Sequence, residues 1–409
     1  MRAGVPIELA SIVDLFPSQS AQRHGVDLKY FCGDGRDLSP EDATRYTRNI
    51  LADKNVDLVV ETIGGTSPYV VQLALDVLKN KKHLVTANKA LLAEHGKTIF
   101  EIATEQGCAV GYEAAVCAAI PIIKGINECF TGDEILSLSG IMNGTSNYIL
   151  SQMEAEQRTY ADALKSAQEQ GYAEADPSLD VNGGDAGHKL AILLRIAFGL
   201  DISSHDLSVQ GIEAITKDDF AFASEMNCSI KLICYAKRDE DNVFATVRPM
   251  MVKQSNLLSR INGATNAVQL RNKYSQRSTL IGQGAGSLET GSAIVSDIVF
   301  IARYGDKAIR NPAILDRKLK SFNALVFPYN ITFETSNVPG ITGIVTTAIG
   351  KSMINIDTVS HNRYHGSNAV FSIVTMPCTH RQIADAIGEI QKAHPDALLA
   401  ETKIIPILD

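Results

Sequence analysis

Short β-branched runs alternate with helix-like segments through the first hundred residues, and this alternation limits the fold more than any other feature. The runs "VDLVVETIGG" and "HLVTANK" are each followed by a helix-like segment, "YVVQLALDVLKNK" and "KTIFEIATEQG". Strands that alternate with helices of about 10–15 residues predict βαβ units and a parallel sheet. We also expect strands at "IELASIVD" and "AVGYEAAV", and a helix over "SPEDATRYTRNILADK" that Ser39 caps.

The rest of the chain departs from this pattern. From residue 118 to 305, helices, a polar loop and strands such as "LICYAKR" and "NVFATVRPM" predict an α+β catalytic domain. Its last helix, residues 292–305, is apolar enough to pack back on the first sheet. After residue 328 the order is strand, helix, a hairpin across "HGS", helix and strand, which is typical of a ferredoxin-like fold.

The composition argues against several classes of protein. A formal net charge of −8 disfavours nucleic-acid and anionic-membrane partners. No apolar run approaches the roughly 20 residues that span a bilayer, and the first residues lack the apolar core of a signal peptide. Seven cysteines without a C-x-x-C pair suit a reducing compartment. We therefore expect a cytoplasmic protein.

A polar stretch in the middle of the chain, "GYAEADPSLDVNGGDAGHKL", runs directly into an apolar helix. Because "NGG" does not continue a helix easily, we expect the helix to begin near Asp185, which places Asp185 and Lys189 on one face. A lysine there would be partly desolvated, and its pKa could fall toward a range useful for proton transfer. The alternative is an ordinary salt bridge on a helix, with His188 as a packing residue beside it.

Several long segments resemble homoserine dehydrogenase, and the resemblance covers nearly the whole chain. They are "TANKALLA", "GIMNGTSNYIL" and "GYAEADPSLDV" with "GGDAGHKL". The resemblance implies reversible hydride transfer between NAD or NADP and L-homoserine or L-aspartate 4-semialdehyde, in threonine and methionine biosynthesis. It also implies a homodimer or homotetramer. Near the end, "SNVPGITGIV" resembles the loop of an ACT domain, with Asn337 where aspartate is common, which implies an amino-acid effector such as threonine.

The resemblance also implies roles for individual residues. Lys189 is expected to donate and accept the proton, and Asp185 to orient it. Substrate binding is expected from Glu174, Asp180, Tyr172, Thr145 and Lys89. Cofactor binding is expected from Lys89, Ile63, Gly64, Asn88, Gly284, Gly286 and Asp14. A structural sodium ion is expected at Glu113 and the carbonyls of Val116, Ala118 and Ile120, although "VCAAIP" stands where the family usually has "VGGGIP".

The G-x-G-x-x-G fingerprint of a dinucleotide-binding domain is not found before the first strand–helix unit. The expected fold is therefore α/β, with an N-terminally truncated Rossmann-like sheet. Three domains are expected: a partial dinucleotide-binding domain (1–117), a catalytic and dimerisation domain (118–305) and a ferredoxin-like ACT domain (328–409). Either the native chain begins further upstream, or this is a shortened, catalytically impaired relative that acts as an amino-acid-binding protein.

The segment "SIVDLFPSQS" bears on the choice between NAD and NADP. Asp14 falls where a ribose-binding acid is expected, beside Val13. Because no arginine is near to hold a 2′-phosphate, the segment favours NAD over NADP.

Overall fold

The structure is a computed structural model that describes residues 4–308, 312–360, 363–365 and 368–409. The chain divides into two compact units. The first comprises residues 1–123 and 286–313, and the second comprises residues 124–285 and 314–409.

Three helices of the first unit have starts that a side chain caps. Ser39, Ser67 and Asn88 each accept a hydrogen bond from a backbone N–H of the first helical turn, and prolines follow the two serines. Up to residue 123 the elements are α1 (Pro17–His24), α2 (Pro40–Ala52), β1 (Leu58–Glu61), α3 (Pro68–Lys79), β2 (His83–Thr86), α4 (Lys89–Gln106) and β3 (Val110–Gly111).

The sheet of the first unit is parallel, with the order β1-β2-β3 among the described residues. Leu84 and Val85 of β2 are fully buried, as expected for a central parallel strand that is covered on both faces. The predicted parallel α/β unit is therefore confirmed.

Two strand predictions in this unit are wrong in part. Residues 7–14 form no strand, because the segment pairs with its neighbour only through an isolated bridge between Ile12 and Phe31. The predicted strand "AVGYEAAV" shortens to Val110–Gly111 and is followed by a 3-10 turn at Glu113–Ala115. Alternating apolar residues indicate a strand only where a partner strand is available along the whole segment.

The second unit combines helices with long antiparallel strands. Up to residue 285 its elements are α5 (Ile122–Lys124, which begins at the unit boundary and leads into a π-helical turn), β4 (Ile135–Ile141), α6 (Gly144–Glu156), α7 (Tyr160–Glu169), α8 (Ser178–Val181), α9 (Gly184–Phe198), β5 (Ser208–Val209), α10 (Lys217–Glu225), β6 (Cys228–Asp239), β7 (Asn242–Lys253), β8 (Thr265–Asn272) and β9 (Arg277–Gln283). The predicted helix 292–305 corresponds to α11 (Ser287–Tyr304), which begins five residues earlier than expected and belongs to the first unit. Ile301 of α11 packs with Val85 of β2, as the sequence predicted.

The C-terminal part of the second unit has the predicted strand and helix order. Its elements are β10 (Lys318–Lys320), β11 (Val326–Phe327), β12 (Tyr329–Ser336), α12 (Ile341–Lys351), β13 (Ile356–Val359), β14 (Arg363–His365), β15 (Asn368–Thr375), β16 (Cys378–Thr379), α13 (His380–Ala393) and β17 (Lys403–Leu408). We call residues 329–408 the C-terminal module. The pairing β17-β12-β15-β13 is that of a ferredoxin-like fold. The strands β14 and β15 pair, but residues 366 and 367 of the predicted "HGS" turn lie outside the described residues.

One sheet runs through the whole second unit. Its path among the described strands is β13-β15-β12-β17-β7-β6-β4-β8-β9, so the last strand of the C-terminal module pairs with β7. One apolar core also spans both parts, since Ile233 and Met250 belong to the same buried cluster as Phe333 and Ile383. Hydrophobic burial therefore stabilises the module and the rest of the unit together.

No helix in the described parts of the chain combines the length and apolarity needed to cross a bilayer.

Candidate active site

The polar stretch 171–190 folds into a loop, the short helix α8 and the first turns of α9. Gly183 precedes α9 with φ +86°, a left-handed conformation that favours glycine. A Cβ at this position would lie 2.9 Å from Val209 Cγ1, so the close approach also requires glycine. Helix α9 begins at Gly184, close to the predicted start, and most of its residues are buried. The sequence therefore places its first polar residues inside the unit.

Asp185 and Lys189 form the predicted i, i+4 pair. The ammonium Nζ of Lys189 donates to Asp185 Oδ2 at 2.8 Å and to the backbone carbonyl of Met142 at 2.7 Å. Lys189 is only 7% exposed and Asp185 only 4% exposed. A buried charge is costly unless it is paired and hydrogen-bonded, and this pair meets both conditions. The ordinary surface salt bridge is therefore excluded as a description of Lys189.

Asn143 links this pair to a second carboxylate. Its side-chain Nδ2 donates to Asp185 Oδ2 at 2.8 Å and to Asp180 Oδ1 at 2.7 Å. Its Oδ1 accepts from the backbone N–H of Ser146 at 2.7 Å and so caps α6. Ser146 Oγ donates in turn to the carbonyl of Asp180 at 2.8 Å. The turn after β4 thus connects α6, α8 and α9.

Of the other predicted substrate residues, Tyr172 and Glu174 lie on the loop before α8, and Thr145 lies in the first turn of α6. Thr145 Oγ1 donates to the carbonyl of Tyr172 at 2.7 Å, which ties the loop to the start of α6. The ring of Tyr172 stacks on that of Tyr148, with centroids 4.5 Å apart. Glu174 follows on the same loop, and its side chain is exposed. The structure therefore brings Thr145 and Tyr172 together and presents Glu174 to solvent.

In the first unit, the loops after β1 and β2 meet at the carboxyl ends of these strands. The buried Glu61 accepts from the backbone N–H groups of Ile63 and Gly64 at 2.7 and 2.9 Å, and from Thr86 Oγ1 at 2.6 Å. Gly64 has φ +84°, and no heavy atom lies within 4 Å of the position of a Cβ. The loop thus exposes its backbone at the sheet edge where open α/β sheets bind ligands.

Asn88 joins the same two loops. Its Nδ2 donates to the carbonyl of Gly65 at 2.7 Å, and its Oδ1 accepts from the N–H of Leu91 and caps α4. Lys89, the first residue of α4, follows directly and is half-buried. The predicted cofactor residues Ile63, Gly64, Asn88 and Lys89 therefore share one edge of the sheet, and an extended polar cofactor fits this open backbone.

The other predicted cofactor residues belong to other elements. Asp14 accepts from the N–H of Phe16 and from Ser20 Oγ, each at 2.7 Å, so both carboxylate oxygens already bind the start of α1. Gly284 follows β9, where a Cβ would lie 1.9 Å from the side chain of Asn266. Gly286 precedes α11 with φ +135°. The Asn266 side chain thus leaves room only for glycine at position 284, and the backbone conformation favours glycine at position 286, whatever they bind.

The predicted sodium ligands lie around one turn. The carboxylate of Glu113 is buried and accepts from the N–H of Ile123 at 2.8 Å. Within the turn, Ile120 N–H donates to the carbonyl of Cys117 at 2.8 Å. Cys117 and Ala118 have φ values of +53° and +24°, so two non-glycine residues adopt a conformation that favours glycine. A buried carboxylate beside backbone carbonyls suits a hard cation, and the sodium site stays a prediction.

Several residues at these sites were missed from sequence. The sequence places Asn143 before a helix and Glu61 and Thr86 in strands, but it does not indicate their long-range contacts. These contacts join residues 25 to 42 positions apart along the chain. The one available signal was an asparagine before a glycine at a helix start, which predicts a cap but not a second partner.

Two family models match the chain. Residues 121–299 match a model described as homoserine dehydrogenase. Residues 5–113 match a model described as the homoserine dehydrogenase NAD-binding domain.

Curated and solved relatives cover most of the chain. It is 35% identical to a homoserine dehydrogenase of Neisseria gonorrhoeae over 84% of this chain and 81% of that protein. It is 38% identical to one of Bacillus subtilis over 90% of this chain and 85% of that protein. A solved homoserine dehydrogenase of Thiobacillus denitrificans has a TM-score of 0.84 and 30% identity, with 97% of each chain covered.

Proposed function

The chain belongs to the homoserine dehydrogenase family, and we propose that Lys189 transfers the proton in its NAD(P)-dependent reaction. When bound, NAD(P) supplies the hydride acceptor or donor at C4 of the substrate. In the oxidation of L-homoserine, the neutral amine of Lys189 takes the proton of the C4 hydroxyl as the hydride leaves C4, and L-aspartate 4-semialdehyde results. In reduction, the ammonium returns that proton to the oxygen, where negative charge develops.

The buried contact of Lys189 with Asp185 and Met142 carries this proposal. Lysine is rarely buried without a function or a partner, and two fixed acceptors at 2.8 and 2.7 Å define the position of its Nζ. Asp185 holds the charged form in place by a charge-assisted hydrogen bond. A proton donor that is fixed in this way loses little entropy on reaching the transition state.

The substrate's amino group fits a carboxylate on the loop before α8. Glu174 is exposed there, and Asp180, on α8, has one oxygen held by Asn143. The hydroxyl of Thr145 fixes the loop by donating to the backbone carbonyl of Tyr172. We assign Glu174 to the substrate ammonium, with Asp180, Tyr172 and Thr145 completing the pocket.

Lys89 and the loops after β1 and β2 are assigned to the cofactor. The fit rests on the open backbone at Gly64 and on Asn88, which holds both loops in one arrangement. NAD is favoured over NADP because Val13 and Asp14 supply no cation for a 2′-phosphate. A homo-oligomer in the cytoplasm is expected, by resemblance.

The test is homoserine-dependent NAD(P)H formation by the wild type and by Lys189→Met. We expect kcat to fall about 100- to 10,000-fold, the range for loss of a general acid–base group. Lys165→Met is the matched control, because Lys165 is an exposed helical lysine of the same unit. Thermal unfolding must show that Lys189→Met is folded, since removal of one partner of a buried pair costs about 3–5 kcal/mol. Unchanged kcat would contradict the proposal, and a folded but inactive wild type would favour the amino-acid-binding alternative.

The C-terminal module is assigned to binding an amino-acid effector, as its ferredoxin-like strand order and the loop "SNVPGITGIV" suggest. We expect millimolar L-threonine to change the rate of homoserine oxidation and to raise the melting temperature. L-allo-threonine is the control ligand. No effect of L-threonine on either quantity would contradict this effector assignment.

A further inference from the structure

We infer that Asn143 is a positioning residue that holds Lys189 through Asp185 and separates two carboxylates of the site. The inference deepens the proposed function and rests on the role of Lys189 in it. Asn143 is 4% exposed and lies in the turn after β4, directly before α6.

The orientation of the Asn143 amide follows from its contacts. Oδ1 accepts from the backbone N–H of Ser146, which can only donate. The other end of the amide is then the NH₂ group, and it faces Asp180 Oδ1 and Asp185 Oδ2 at 2.7 and 2.8 Å. A primary amide has two N–H donors, so each carboxylate receives one. The flipped amide would place an oxygen against two carboxylate oxygens.

The same turn holds both members of the catalytic pair. Asp185 Oδ2 accepts from Lys189 Nζ and from Asn143 Nδ2, so the amide fixes the oxygen that orients the lysine. The carbonyl of Met142, the preceding residue, accepts from Lys189 Nζ as well. Two consecutive residues after β4 thus set the position of Nζ. A displacement of about 1 Å at a reacting group can cost about 100-fold in rate.

The amide also separates like charges. The described hydrogen bonds of the Asn143 side chain are with α8, α9 and the start of α6. The charged groups on these elements that it contacts are Asp180 and Asp185, and Asp185 in turn binds Lys189. Two carboxylates that face one another repel, and an N–H donor to each offsets this repulsion. Loss of the donor would move Asp185 away from Asp180 and take Lys189 with it.

Asn143→Ser tests the amide donor without adding charge. Serine keeps the helix cap but is too short to reach both carboxylates. We expect kcat to fall about 10- to 100-fold and KM for homoserine to change less than about 3-fold, because positioning acts on the chemical step. The matched control is Asn256→Ser, since Asn256 is also a buried helix-capping asparagine, on an element that binds neither carboxylate.

Asn143→Asp adds a pH signature that a purely structural role would not produce. Aspartate keeps the cap and the shape, but when ionised it presents a third carboxylate to Asp180 and Asp185. When protonated, its O–H can donate to one of them. We therefore expect the ratio of variant to wild-type kcat to rise as the pH is lowered from about 9 to about 6. Asn256→Asp is the control, and its ratio is expected to stay flat.

The outcomes separate this inference from the proposed function. Activity retained in Lys189→Met would overturn the proposed function and the inference with it. If Lys189→Met is inactive while folded Asn143→Ser keeps wild-type kcat, only the inference is overturned. A flat kcat ratio for folded Asn143→Asp would also overturn it, as would an equal pH response of Asn256→Asp.

Discussion

At the scale of single residues, Glu174 differs from the other carboxylates of the candidate site. Asp185 is buried and Asp180 is half-buried, both hydrogen-bonded to Asn143, whereas Glu174 is exposed on its loop. An exposed carboxylate is free to exchange water for a substrate ammonium. We therefore expect Glu174→Gln to raise KM for homoserine about 10- to 100-fold, the value of one charge-assisted hydrogen bond, with kcat changed less than about 3-fold.

The measurement is steady-state kinetics with homoserine varied at saturating cofactor. Glu169→Gln is the control, because Glu169 is an exposed glutamate at the end of α7 in the same unit. A Glu174→Gln variant with wild-type KM, or with a lower kcat and unchanged KM, would contradict ammonium binding by Glu174.

The residues of the site were predictable from sequence only where the contact is local. The spacing of Asp185 and Lys189 predicts their pairing, because helix geometry fixes which residues share a face. Asn143 contacts Asp180 and Asp185 across 37 and 42 positions. No periodicity carries that information, since it depends on how three helices and a strand meet.

At the scale of elements, the first turn of α13 packs in a buried environment beside β7 and β12. The His380 ring lies 6.2 Å from that of Tyr329 of β12, and burial together with the charge of Arg248 on β7 lowers the pKa of His380 below its usual value. The folded state thus favours neutral His380. The unfolded chain binds the proton more readily, so the stability that neutral His380 provides is present above about pH 6.5 and is lost as the pH falls below it.

We expect the wild type to lose more unfolding free energy between about pH 7 and about pH 5 than His380→Gln does. Urea unfolding at several pH values measures this difference. His205→Gln is the control, because His205 is exposed. Equal pH dependence of the wild type and His380→Gln would contradict a lowered pKa of His380 in the folded protein.

Elements were predicted well where pattern and caps agree. Ser39 and Gly107 mark helix ends that the structure reproduces, whereas the predicted helix "KTIFEIATEQG" begins earlier than expected, at Lys89 behind the Asn88 cap. Residues 7–14 have a strand-like pattern but pair only at Ile12. Strand formation depends on a neighbouring strand, whereas a capped helix satisfies its own backbone groups.

At the scale of the whole molecule, the continuous sheet of the second unit is the feature that sequence did not predict. The order of helices and strands in the C-terminal module could be predicted, because the apolar residues of helices and of strands repeat with different periods. The pairing of its last strand, β17, with β7 through Ile407 and Leu408 could not be predicted, because β7 is more than 150 positions away along the chain. Along this sheet, β17 is followed by β7, β6 and β4, and β4 leads into the turn that holds Lys189.

The central claim is that Lys189 moves a proton and does not merely supply positive charge. Lys189→Arg tests this directly, because a guanidinium keeps the charge and can donate to Asp185 but does not release its proton in proteins. We expect kcat for homoserine oxidation to fall at least about 100-fold in folded Lys189→Arg, close to the loss in Lys189→Met. A Lys189→Arg variant within a few-fold of the wild type would show that charge alone suffices, and the account of proton transfer by Lys189 would be wrong.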